Sequence, residues 1–218
     1  MTASEMQLRD VRNQMHNYGG GEVEIVELLI VGDFFMELYR LCEDTNPYAV
    51  VMGSQGTTAA ERFLLGSNSV HAMRNLKWPL IAIPSGTAYS PIKNIGLASD
   101  FDQPVSDLPL DKVKQFVEDF HATLHIINVG TKKEFSADKI FETTQMHENL
   151  LHNNPEYHFI QNENVEQGIM ECAQVNAIDL LMVFPRQHGF LDAFFHKSMS
   201  KQLVLHSKIP VIALQPIY

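Results

Sequence analysis

The chain has 218 residues, 45% of them hydrophobic and 19% charged, the make-up of one large folded domain or two small ones. With 16 Lys and Arg against 26 Asp and Glu, the formal net charge is -10, so no concentrated basic face for a nucleic-acid backbone is expected. Two separated cysteines, Cys42 and Cys172, make neither a disulfide framework nor a zinc site and read as buried apolar groups. No apolar run of about 18 residues exists to span a membrane, and the start, Met1 to Gln7, lacks the basic-then-apolar pattern of an export signal. The chain reads as cytoplasmic, with neither nucleic acid nor membrane as partner.

Residues 4–17 are polar and helical in pattern, and Gly19-Gly20-Gly21 ends them. Glu22 to Glu27 alternates polar and apolar residues and predicts a strand. Gly32-Asp33 caps a helix whose stripes, Phe34, Leu38, Leu41 and Phe35, Tyr39, Cys42, predict a wide buried face. Asn46-Pro47 ends it, and Tyr48 to Met52 reads as a buried strand. Helix follows over 67–75, a short strand over 79–84, and linker composition over 85–91. From Ile92 onward the alternation is regular. Strands at 95–99, 124–129, 157–161, 179–184 and 210–214 are separated by helices around Leu110 to Phe120, 137–151, 165–176 and 198–206. Strands alternating with helices mean an α/β chain with a mostly parallel sheet covered on both faces.

The strand from Tyr48 runs straight into Gly53-Ser54-Gln55-Gly56, and nine residues later Gly66-Ser67-Asn68-Ser69 opens a helix. Glycines between a strand and a helix let backbone amides approach an anion, and the helix dipole behind them favours negative charge. The layout is that of a phosphate cradle. Neither a Gly-x4-Gly-Lys-(Ser/Thr) loop nor a Gly-x-Gly-x2-Gly fingerprint occurs elsewhere.

The chain also repeats itself. Trp78-Pro79-Leu80-Ile81-Ala82-Ile83 aligns with Ile209-Pro210-Val211-Ile212-Ala213-Leu214, 131 positions later. The same offset equates Lys77 with Lys208, Val50 with Leu181 and Ser67 with Ser198. Such self-similarity predicts two copies of one unit, here 1–90 and 91–218.

With its Gly-x2-Gly-x9-Gly-Ser motif, its Trp78-Pro79 flank, and the acid-terminated strand Ile95 to Asp100, the chain resembles a tandem universal stress protein. The resemblance implies two Rossmann-like repeats, each a five-stranded parallel sheet in order 3-2-1-4-5. It further implies that ATP or a related adenine nucleotide lies on the loop after the fourth strand. Gly53 would approach the ribose, and Gln55, Gly56, Gly66, Ser67, Asn68 and Ser69 would surround the phosphates. The first repeat is expected to be incomplete, because nothing before Glu22 matches Ile92 to Val129. Its first two strands and first helix would be missing through truncation, supplied by a partner chain, or replaced by a rearranged sheet. The second repeat keeps the family acid, Asp100, but has Phe184, Gln187 and Lys197 where the first has Gly53, Gly56 and Gly66. Asp100, Lys197 and Ser198 would mark a vestigial second site, with Phe190, Leu191, Phe194 and Phe195 plugging it or packing on another subunit.

Ten histidines are present, yet no metal ligation is expected. His121 and His125 straddle a helix-to-strand junction, and His147, His152 and His158 fall in a polar region without ligand spacing. No nucleophile with a base nor any carboxylate dyad stands out, so an enzyme, such as a slow ATP hydrolase, ranks last. The leading expectation is a non-catalytic stress-response regulator binding an adenine nucleotide, as a homo-oligomer or an intramolecular pseudo-dimer. The alternative is a nucleotide-free pseudo-dimer acting through protein contacts.

Overall fold

In a computed structural model the described residues are 3–18, 23–54, 68–101, 104–130, 137–185, 203 and 207–216. The chain divides into two compact units, residues 1–44 and 45–218. In the first, helix α1 (Ala3–Tyr18) buries none of its residues, as its polar sequence requires. Helix α2 (Phe34–Thr45) starts where the Asp33 carboxylate accepts a hydrogen bond from the Met36 amide at 3.0 Å, the N-cap that Gly32-Asp33 predicts.

Two expectations for this unit are overturned. Over its described residues, 23–27, the alternating segment is not a strand. From residue 23 to 31 the chain pairs with no sheet, and Val23, Val26, Leu28, Leu29, Ile30 and Val31 are exposed. Alternation prepares a segment for a sheet but cannot supply the neighbour whose amides and carbonyls it must pair with. In the implied order that neighbour is the second strand, which has no counterpart before Glu22. The wide face of α2 is also less buried than expected, with Phe35, Leu38, Tyr39 and Leu41 only half-buried. Cys42 alone is fully buried, while Phe34 and Met36 remain 45% and 65% exposed. Within this unit the other helix is polar and offers little apolar surface to pack against.

The second unit holds all seven described strands: β1 (Val50–Gly53), β2 (Leu80–Ile83), β3 (Asn94–Ala98), β4 (Thr123–Gly130), β5 (Glu156–Gln161), β6 (Leu180–Val183) and β7 (Val211–Ala213). They form one sheet in the order β1-β2-β7-β6-β3-β4-β5. Numbered from β3, its last five strands read 3-2-1-4-5 and are mutually parallel, as the resemblance implies. The sheets of the two halves are continuous, joined through an antiparallel pair, β2 with β7. Its central partners are Ile81 and Ile212, which the 131-residue offset equates.

Burial follows position in the sheet. Central β6 is buried at all four residues and is wholly apolar, as a strand covered on both faces must be. Edge strand β5 has no buried residue. Helix α4 (Leu110–Phe120) lays Leu110, Val113, Phe116 and Val117 against the sheet, and His121, with φ of 51°, ends it in the left-handed region. These side chains join Ile95, Leu97, Leu124, Ile126, Leu180, Met182 and Ile212 in one core. Each large apolar side chain so buried contributes about 1.5–3 kcal/mol. The remaining helices are α3 (described over 68–75), α5 (Ala137–Leu150) and α6 (Val165–Val175). Gly168 on α6 lets that helix approach β4, since a Cβ there would lie 2.7 Å from Val129.

Candidate functional site

Strand β1 ends on Gly53, and α3 is described from residue 68, so the described residues flank the predicted cradle on both sides. Its two ends are tied together. The Ser69 hydroxyl, fully buried, donates to the Gly53 carbonyl at 2.8 Å, and the Ser54 amide donates to the Ile83 carbonyl at 2.8 Å. These bonds fix where the strand stops and where the helix begins. Ser69 thus has a structural task in this conformation. Its hydroxyl proton is committed to the Gly53 carbonyl. The Ser54 hydroxyl, 1% exposed, has no partner among the described residues. A buried hydroxyl of that kind costs free energy until something accepts its proton or donates to its oxygen. At the far end of α3 the Gln215 side-chain amide donates to the Met73 carbonyl, tying the helix to the segment after β7. Gln55, Gly56, Gly66 and Ser67 lie outside the described residues; Asn68 is half-buried at the described start of α3.

Asp100 stands just past the carboxyl end of β3 and is exposed. The chain there is built with strain. Phe101 has φ of 55°, a left-handed conformation costing about 1–2 kcal/mol without glycine, and holds it while burying its ring to 5% exposure. The Phe101 amide donates to the Ser99 hydroxyl at 3.3 Å, and Asn128 donates its side-chain amide to the Ser99 carbonyl at 2.9 Å. Strand β6 lies beside β3, and the chain proceeds outward in opposite directions from this pair. That is the switch point where open α/β sheets form a crevice at the carboxyl ends of the strands. Phe184, which the offset equates with Gly53, follows β6 here and packs against the core. Lys197 and Ser198, and the apolar run from Phe190 to Phe195, lie outside the described residues.

The sheet separates the two predicted sites. β1 and β3 are four steps apart in strand order, about 19 Å at about 4.8 Å per step. Because β2 and β7 are antiparallel, the carboxyl ends of β1 and β3 also open on opposite edges. Gly53 and Asp100 therefore cannot serve one ligand.

A third group of side chains meets where no site is expected from the pattern along the chain. Parallel pairing of β4 with β5 sets His125 opposite Glu156 and Ile127 opposite His158, on one face of the sheet. His125 Nδ1 lies 3.0 Å from His158 Nε2 and 3.6 Å from a Glu156 carboxylate oxygen. His125 is 5% exposed, and burial lowers its proton affinity below the ordinary imidazole value, opposed by Glu156 and assisted by His158. Spacing along the chain points to no metal ligation, yet the fold brings together three side chains that could hold an ion. They come from two strands and are joined only by strand register.

Residues 2–84 match the family model described as the universal stress protein family. Among curated proteins none matches the chain. Of solved structures, a universal stress protein from Archaeoglobus fulgidus DSM 4304 superposes with a TM-score of 0.71 at 21% identity, over 97% of this chain and 77% of that one. A functionally unknown protein from Pseudomonas aeruginosa PAO1 superposes with a TM-score of 0.66 at 12% identity, over 99% of this chain and 79% of that one. At such identities the likeness is one of fold. No helix among the described residues is long and apolar enough to cross a membrane. Residues 2–84 thus match the universal stress protein family model, and the chain as a whole has the α/β fold of a universal stress protein.

Proposed function

We propose that this protein is a non-catalytic stress-response regulator that holds an adenine nucleotide, ATP or a close relative, on the loop from Gly53 to Ser69. The observation that carries the reading is local. A strand ends on Gly53, a helix is described from residue 68, and Ser69 ties the two, so the segment that carries the motif is anchored at both ends. The family match covers that whole loop. Gly53, Gln55, Gly56, Gly66, Ser67 and Asn68 would offer amides and hydroxyls to the phosphates, with the α3 dipole behind them. The Ser54 hydroxyl, without a partner among the described residues, would supply one further polar group next to Gly53. A nucleotide that binds only the ordered loop stabilises it by mass action, about 2.7 kcal/mol at a hundred times its Kd, and so changes the surface presented to a partner.

In this reading residues 1–90 and 91–218 are two universal stress repeats, the second a scaffold whose last strand closes on that of the first. The antiparallel β2–β7 pair, centred on equivalent isoleucines, supports an intramolecular pseudo-dimer. The same pair supports the second reading, a nucleotide-free pseudo-dimer acting through protein contacts. Mass spectrometry of the protein purified without added nucleotide separates them: the first reading expects an adenine nucleotide to be released on denaturation, the second expects none. Turnover of ATP that disappears in Gly53→Val or Ser67→Ala would instead establish an enzyme.

A further inference from the structure

We propose that His125, His158 and Glu156 form a site for a first-row divalent transition metal of the zinc class, at the amino ends of β4 and β5. The cluster stands apart from both nucleotide candidates. It is five and six strand steps from β1, and lies at the opposite ends of the strands from Asp100.

Asn94, at the start of β3, orients the cluster. Its side-chain amide donates to the Ala177 carbonyl at 3.1 Å, which turns its oxygen toward His125 Nε2 at 3.4 Å. That oxygen can only accept, so His125 carries its proton on Nε2 and leaves the Nδ1 lone pair facing His158 and Glu156. Metal-ligating histidines are held in just this way, the second ring nitrogen donating to a carbonyl-type oxygen. The three ligand atoms lie within 4.8 Å of one another. Zinc bonds of about 2.0–2.2 Å to nitrogen and oxygen in a tetrahedron place neighbouring ligand atoms about 3.3–3.5 Å apart. The observed 3.0 Å and 3.6 Å bracket that edge. Without an ion the site closes through a hydrogen bond from His158 Nε2–H to His125 Nδ1. An ion replaces that bond, the His158 proton moving to its own Nδ1 with no proton lost from either ring. Buried His125 is the fixed ligand. Half-buried His158 and exposed Glu156, on edge strand β5, can adjust and leave a path for entry. Two imidazoles with one carboxylate select zinc, copper or nickel over the all-oxygen preference of calcium and magnesium.

The test is isothermal titration of the chelator-treated full chain with Zn2+ alone, beside titrations with Ca2+ and Mg2+. The expected result is one Zn2+ per chain at this site, no matching Ca2+ or Mg2+ binding, and at least tenfold weaker Zn2+ binding in both His158→Ala and Glu156→Gln. Both changes fall on edge strand β5, so far-ultraviolet circular dichroism should match the unaltered chain. His152→Ala should leave the affinity unchanged. Substituting Co2+ should give visible d–d absorption that His158→Ala removes. The proposal is overturned if no Zn2+ binds at about 100 μM, or if binding persists unweakened in His158→Ala.

Discussion

At the scale of single residues, the two ends of the candidate cradle are held by one hydroxyl. Ser69→Ala removes the buried hydroxyl that donates to the Gly53 carbonyl and so cuts the tie between β1 and α3. The expected cost is about 1–2 kcal/mol, or roughly 2–8 °C in Tm for a chain of this size, read by thermal unfolding. Gly168→Ala sets two effects against each other. Alanine improves helix propensity by about 1 kcal/mol. Its methyl group would meet Val129 at 2.7 Å, an overlap costing about 1–3 kcal/mol. Overpacking should win, so urea unfolding of Gly168→Ala should show net destabilisation; a more stable protein would mean that α6 can slide off β4. Asp179 is a third such residue. Its carboxylate accepts from the Lys93 and Asn94 amides at 2.8 Å and 3.0 Å, fixing the start of β3 against β6. Asp179→Ala should cost about 2 kcal/mol in the same assay, because it leaves two amides without their charged acceptor.

At the scale of elements, the joint between the halves is the antiparallel pair β2–β7. Helix α4 covers the core on one face of it. Tyr48, just before β1, donates its phenol to Asp119 at 2.8 Å and packs on Phe116 at a ring separation of 4.8 Å. Ile212 is fully buried at the centre of the joint. Trp78, the one tryptophan, donates to Asn46 at 2.8 Å in the first half, while most helices and strands lie in the second. One sheet spanning both halves should unfold as one cooperative body. Trp78 fluorescence and far-ultraviolet circular dichroism should therefore give coincident urea midpoints for residues 45–218; an earlier fluorescence transition would mean that the halves unfold separately. The elements also show what a sequence carries. Periodicity locates β3 to β7 and α4 to α6 within a residue or two, because each is long or apolar enough to state its own period. The 131-residue offset equates Ile81 with Ile212, and the structure pairs them. The segment at 22–27 misleads because alternation records a preference and not the presence of a neighbour. The meeting of His125 with His158 is invisible along the chain, since register between two strands is set by packing at a distance.

At the scale of the whole molecule, antiparallel joining of two parallel sheets points their carboxyl ends in opposite directions. The glycine loop and the acid of Asp100 then lie on opposite edges, each without the other's complement in reach. Sequence comparison of the halves makes the same division legible, since the first has glycines where the second has Phe184 and Lys197. What it could not give is the commitment of the Ser69 hydroxyl, which depends on how β1 and α3 meet. The central claim is that the Gly53–Ser69 loop binds an adenine nucleotide. Isothermal titration of the chain with ATP up to millimolar concentration tests it most directly, with Gly53→Val beside it, where a branched side chain would stand in the path of the phosphates. The account predicts saturable binding at one site that Gly53→Val weakens at least tenfold. No heat of binding at millimolar ATP, or equal affinity in Gly53→Val, would contradict it.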